Sequence, residues 1–120
     1  MNPSYTVFVY GTLKRGQCRA SALDGQQFLG IACTRPSYRM YDCGSYPGLV
    51  EHNNGRAIEG EVWSIDADCL ARLDIIEAVD SGLYQRGIVQ LQAPFSDRDV
   101  LTYFFCHDVR GLEDSGTVWK

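Results

Sequence analysis

Thr6-Val7-Phe8-Val9-Tyr10-Gly11-Thr12-Leu13-Lys14-Arg15-Gly16 is the stretch that decides how this chain reads. Thr6 to Val9 is β-branched and aromatic, bounded by Pro3-Ser4 and by Gly11, which predicts a short, central, buried strand. Such a strand runs straight into a tight glycine-bearing loop. Loops at strand ends leave backbone N–H groups free to hold an anionic or carbonyl group of a ligand. The spacing from Gly11 to Gly16 is that of a phosphate loop, but Gln17-Cys18 stands where that motif requires Lys and Ser/Thr, so nucleotide binding by this route is excluded.

Working outward, Cys18 to Leu23 predicts a helical turn or two ended by Gly25, and Phe28 to Thr34 and Tyr38 to Tyr41 predict short strands separated at Pro36. Gly44 to Val50 reads as a turn built on Tyr46-Pro47-Gly48. Asn53-Asn54-Gly55 is a tight-turn signal, predicting a hairpin from Leu49-Val50 into a long strand from Ala57 to Ile65. On that strand Ile58, Gly60, Val62 and Ser64 share one side and Glu59, Glu61, Trp63 and Ile65 the other; apolar groups on both faces predict a central position.

Asp66 is placed to cap a helix from about Ala67 to Ala78, with Asp68 in its first turn and Gly82 beyond its end. Tyr84 to Leu91 and Val100 to Cys106 supply two more strands around the turn-rich Pro94 to Asp99, and a short C-terminal strand is predicted near Val118. This order lacks the regular alternation of strand and helix that a doubly wound parallel sheet needs. The expected class is α+β, a mixed, barrel-like β-sheet with one or two packed helices, in a single domain over residues 1–120.

With 45% hydrophobic and 22% charged residues, the composition is that of a packed globular chain rather than a disordered one. A net charge of −4, with Lys14-Arg15 the only adjacent basic pair, leaves no cationic footprint for a phosphate backbone and argues against a nucleic-acid partner. No segment reaches the ~18 apolar residues of a membrane span. The start Met1-Asn2-Pro3-Ser4 lacks the basic region of an export signal, so a cytoplasmic protein without a membrane partner is expected. Cys18, Cys33, Cys43, Cys69 and Cys106 are odd in number and widely spaced, with no C-x-x-C pair and no histidine at zinc spacing; this predicts reduced thiols and no structural metal.

On the predicted helix, residues 70, 73 and 77 fall on one stripe. Leu70 and Leu73 claim that stripe for the core, so Glu77 stands where a leucine is expected, with Asp74 at the edge. An ionised carboxylate buried without partners costs several kcal/mol. Two readings follow, and they can coexist. One is a structural ion pair with Arg86 on the next strand; the other is a general base whose pKa is lifted by desolvation and by Asp74, with Arg86 orienting it. Other candidates carry less. Cys43 and Ser45 lack a nucleophile elbow, and His52 and His107 have no serine partner and read as surface residues. Glu59 and Glu61 share a strand face but lack the further ligands a metal needs, and read as solvated or ion-paired.

In combination, Phe8-Val9-Tyr10-Gly11-Thr12-Leu13-Lys14-Arg15-Gly16, Tyr46-Pro47-Gly48, Gly60-Glu61-Val62-Trp63, and Leu73-Asp74-x-x-Glu77 followed by Tyr84-x-Arg86 form one ordered pattern. From about Thr6 to Cys106 it strongly resembles the γ-glutamylcyclotransferase-like superfamily, and within it the γ-glutamylamine cyclotransferase and AIG2-like branch. The resemblance implies a closed or nearly closed mixed barrel flanked by helices, with the Tyr10 loop and Glu77 lining one cavity. It implies release of 5-oxoproline from a small γ-glutamyl compound with no cofactor. Glu77 becomes the catalytic acid/base, and Tyr10, Gly11, Thr12 and Leu13 the loop that cradles the substrate.

Tyr46, Pro47 and Gly48 are then expected to shape the pocket and Arg86 to orient Glu77, with Tyr84 and Tyr103 serving as wall, hydrogen-bonding or purely packing residues. The N–H groups of Gly11 to Leu13, or the Tyr10 hydroxyl, are expected to hold either a reaction oxyanion or the substrate α-carboxylate. Two rival readings keep the same cavity: a binding module without turnover, and a hydrolase in which Glu77 activates water. The leaving group and the oligomeric state stay open at this level.

Overall fold

The expected buried strand is β1, Ser4–Val9, in a computed structural model that describes residues 4–120. Its side chains alternate between two apolar clusters. Val7 and Val9 join Trp63, Ile65, Leu70 and Leu73, whereas Phe8 joins Met40, Leu49, Ile58 and Val62. A strand buried on both faces belongs inside a sheet. β1 is flanked by β5 (Glu59–Asp66), antiparallel, and by β7 (Val100–Phe105), parallel. The other elements are a 3₁₀ turn at Ala20–Leu23, β2 (Gln27–Cys33), β3 (Tyr38–Asp42), β4 (Pro47–Glu51), α1 (Ala67–Ile76) and β6 (Tyr84–Val89). No helix among the described residues is long and apolar enough to cross a membrane. All five cysteines are free thiols.

The strands form one mixed sheet in the order β2-β5-β1-β7-β4-β3, with β6 on the remaining edge of β7. β6 pairs along the whole of β7, from Tyr84 opposite Phe105 to Val89 opposite Val100. The other edge of β7 is shared: β1 pairs at Leu101 and β4 at Phe104, both parallel. β1 therefore parts from β7 just where β4 takes over, and the loop after β1 opens at that split.

Several expectations are corrected. The barrel implied by the resemblance is not closed; between β2 and β6 only the isolated Thr34–Leu91 bridge forms among the described residues. The predicted hairpin from Leu49-Val50 into the long strand does not form. Both edges of β5 are already occupied, since Glu61 lies opposite Val9 of β1 and opposite Ile31 of β2. The Asn53-Asn54-Gly55 segment instead folds against β3, where a Cβ on Gly55 would lie 2.4 Å from the Tyr38 nitrogen. Pro47 and Gly48 belong to β4 rather than to a turn; proline fits the first residue of a strand, where its missing N–H costs no ladder bond. The C-terminal strand near Val118 is absent. That segment is held by single contacts, Ser115 N–H to the Met40 carbonyl (2.8 Å) and Glu59 N–H to the Thr117 carbonyl (2.8 Å).

α1 starts as expected, with the Asp66 carboxylate accepting from the Cys69 N–H at 2.7 Å. It ends two residues before Ala78. Val79 N–H bonds back to the Asp74 carbonyl (3.1 Å) and Ala78 N–H to that of Ile75 (3.1 Å), a Schellman closure in which Ala78 adopts φ 52°. Glycine is the usual occupant of that position because a Cβ there clashes with backbone, and its absence hid the boundary. Ala78→Gly is expected to stabilise the fold by about 1 kcal/mol, read as a rise in the denaturation midpoint at unchanged m-value.

Candidate active site

The closure of α1 places Glu77 at the helix C-cap, one turn beyond the fully buried Leu73. The side chain is half-buried and has no hydrogen-bond acceptor or donor and no ion-pair partner among the described residues. Burial raises its pKa from 4.5 to about 7, against the opposing pull of the Arg19 guanidinium. The carbonyl end of the helix adds to the same trend, because its partial negative charge disfavours an anion.

The expected partners do otherwise. Arg86 does not pair with Glu77; its Nε lies 3.0 Å from Asp74 Oδ1. That same oxygen accepts the Tyr103 hydroxyl at 2.7 Å. Asp74 is thus engaged on both sides and is not among the causes that lift Glu77. The reason is geometric: one helical turn separates the two acids, and β6 brings Arg86 past the first rather than the second.

Glu77 faces a narrow cleft lined by Tyr10, Gly11, Thr12, Leu13, Tyr46, Pro47, Tyr84 and Tyr103. Two of the expected site residues lie outside it. Gly48 packs under Phe105, where a Cβ would sit 2.6 Å from the ring, and Arg86 reaches the cleft only through Asp74 and Tyr103. Gly11 has a steric role at the rim, since a Cβ there would lie 2.5 Å from Pro47 Cγ. The loop can approach β4 only because that position is glycine.

Hydrogen bonding sorts the lining groups by what remains available. The Tyr10 hydroxyl donates to the Tyr103 carbonyl (2.5 Å) and accepts from the Leu49 N–H (3.1 Å). Its proton is committed, which corrects the expectation that it offers a bond to an oxyanion. Tyr84 likewise donates to the Pro47 carbonyl and Tyr103 to Asp74. Burial raises the pKa of all three phenols, so they stay neutral. By contrast, the N–H groups of Gly11, Thr12 and Leu13 find no acceptor within the described chain. With no Lys or Arg on the lining, these amides are the groups able to hold a carboxylate or an oxyanion.

The loop that carries them is fastened beyond the cleft. Lys14 Nζ donates to the Trp119 carbonyl (2.7 Å), with Trp119 packed against the core, and Arg15 reaches Glu61 on β5. Sequence reasoning found Glu61 only as a solvated or ion-paired residue; its signal was a carboxylate on the same strand face as Trp63 and Ile65. No three His, Cys, Asp or Glu side chains among the described residues gather as metal ligands would.

The chain is similar to proteins of one family. The family described as gamma-glutamyl cyclotransferase, AIG2-like, matches residues 7–120. A Vibrio cholerae relative, named as a candidate γ-glutamylcyclotransferase, is 40% identical over 112 residues, covering 93% of this chain and 93% of its own. Human γ-glutamylaminecyclotransferase is 40% identical over 98 residues, which span 72% of this chain and 61% of the human one. The crystal structure of an AIG2-like protein from Mus musculus matches with a TM-score of 0.82 at 28% identity, over 95% of this chain and 87% of that one.

A raised carboxyl pKa links the site to stability. Between pH 4.5 and about 7 the unfolded chain releases the Glu77 proton while the folded chain keeps it. The contribution is therefore full below the lower value and lost as pH rises through the higher one. Above it, the buried anion costs on the order of 3 kcal/mol. Glu77→Gln is expected to match wild type near pH 4.5 and to exceed it by about 2–3 kcal/mol near pH 8, measured by chemical denaturation at both pH values.

Proposed function

The chain belongs to the AIG2-like family of γ-glutamyl cyclotransferases, and we propose that it releases 5-oxoproline from a γ-glutamylamine or γ-glutamyl peptide. We place it in the cytoplasm, where its five free thiols stay reduced, acting as a single domain on a small molecule. One observation carries this reading: Glu77, unpaired and lifted to about 7, faces a cleft whose loop amides lack an internal acceptor.

In a γ-glutamyl amide the α-amine folds back onto its own side-chain carbonyl in a five-membered ring, so no external nucleophile is required. The α-ammonium titrates near ~8. Glu77 as a carboxylate takes one of its protons, and the freed nitrogen lone pair attacks the γ-carbonyl carbon. The ring C–N bond forms while the carbonyl π electrons move to oxygen. Collapse of that oxyanion breaks the bond to the leaving nitrogen, which takes the first proton from Glu77; the ring nitrogen gives up its second proton by the same route, so the amine departs as its ammonium ion. The products are 5-oxoproline and the released amine; no water is consumed, and Glu77 ends as it began.

The amides of Gly11 to Leu13 hold the anionic end of the substrate or the oxyanion; one such donor is typically worth ~2.7–4 kcal/mol of barrier. The narrow walls of Tyr46, Pro47, Tyr84 and Tyr103 favour the folded conformer. Restricting an intramolecular reaction in this way contributes ~7–11 kcal/mol in favourable cases.

Glu77→Gln is expected to keep the fold and lower the rate of 5-oxoproline release by about 10²–10⁴-fold; retained turnover contradicts the assignment. In the wild type, kcat/KM is expected to rise with pH through about 7, as Glu77 loses the proton that blocks its role as base. Free glutamate as the product identifies a hydrolase instead. A melting-temperature rise with γ-glutamyl compounds but no product identifies a binding module.

A further inference from the structure

Glu61 is a carboxylate on a central strand, 7% exposed, that the proposed reaction does not use. Its oxygens are fully employed. Oε1 accepts from the Arg15 backbone N–H (3.0 Å) and from Trp63 Nε1 (3.2 Å), and Oε2 accepts from Arg15 Nε (3.0 Å). The Arg15 guanidinium lies 3.8 Å over the Phe28 ring, which in turn meets Trp63 edge-on at 5.4 Å. One face of this assembly is therefore aromatic, and the ion pair is shielded on that side from water.

The placement along the chain gives the assembly its consequence. In the β1–β5 ladder Glu61 lies opposite Val9, the last residue before the loop. The chain leaves the sheet beside Glu61, passes through Tyr10 to Lys14, and returns to the side chain of Glu61 at Arg15. A single residue thus holds both ends of the segment whose Gly11, Thr12 and Leu13 line the cleft. We propose that Glu61 is a positioning residue for the reaction: its clamp on Arg15 fixes the amides of the Tyr10 loop in the geometry that receives the substrate. For its effect on turnover this rests on the cyclotransferase reading; for its effect on the loop it does not.

Amides held by a clamp drift when it is removed, and misplacement of a substrate-positioning group by about 1 Å can cost 10²-fold in rate. The test pairs two readouts on Glu61→Ala, Glu61→Gln and Arg15→Ala. In Glu61→Ala, kcat/KM for 5-oxoproline release is expected to fall by about 10²-fold, with the pH midpoint of the wild type retained because Glu77 is untouched. Hydrogen exchange at the Lys14 and Arg19 N–H groups, which bond the Gly11 and Thr12 carbonyls, is expected to quicken by at least about tenfold while α1 keeps its protection.

Glu61→Gln keeps an oxygen for Arg15 N–H and Trp63 Nε1 and recovers part of both losses. Arg15 is exposed, so Arg15→Ala releases the clamp without opening the core, and combined with Glu61→Ala it adds little further loss. Wild-type exchange at the loop in both alanine variants overturns the clamp. Quickened exchange with full turnover overturns its role in the reaction. If the wild type itself releases no 5-oxoproline, the cyclotransferase reading fails, while the exchange comparison still decides whether Glu61 fixes the loop.

Discussion

The divided edge of β7 is the constraint on which the site depends. β1 covers one part of that edge and β4 the other, so a gap opens where the first strand departs. The Tyr10 hydroxyl spans it, accepting a hydrogen bond from the Leu49 N–H and donating one to the Tyr103 carbonyl. This one buried group ties the end of β1 to both neighbouring strands. The loop that follows is therefore held open against Pro47, with Gly11 allowing the close approach.

Around that opening, polar groups divide into those that are satisfied and those that are not. The three phenols donate hydrogen bonds to protein acceptors, and Asp74 is shared between Arg86 and Tyr103. These bonds stiffen the walls. Glu77 and the amides of Gly11 to Leu13 are left without internal partners. An unpaired half-buried carboxylate lowers stability, and active sites are where such costs concentrate. Its position at the end of α1, after a turn closed by Ala78 in the left-handed region, costs a little more. The strain at Ala78 thus lies directly beside the unpaired residue assigned the proton transfer.

Much of this was legible in the sequence because the signals were local and periodic. Val7 and Phe8 alternate between two clusters as a buried strand demands, and the stripe of Leu70, Leu73 and Glu77 exposed the acidic residue that did not belong. The Tyr10 to Leu13 loop reads directly from its glycine. What escaped was set by distant partners. Asn53-Asn54-Gly55 is a hairpin signal by local rules, yet β5 had no edge left for β4. Arg86 had two acids one turn apart to choose from, and spacing alone does not say which one β6 passes. The hydroxyl of Tyr10 could be assigned to substrate only while its bond to Tyr103, 93 residues away, was unknown.

The protonation state of Glu77 in the free protein ties these features to the chemistry. Selective ¹³C labelling of glutamate carboxyls, with Glu77→Gln to assign the resonance, follows that one group through a pH titration. A midpoint near 7 that moves when 5-oxoproline is added is the expected result. A midpoint at the ordinary 4.5, unmoved by that ligand, contradicts a desolvated base facing the substrate cleft.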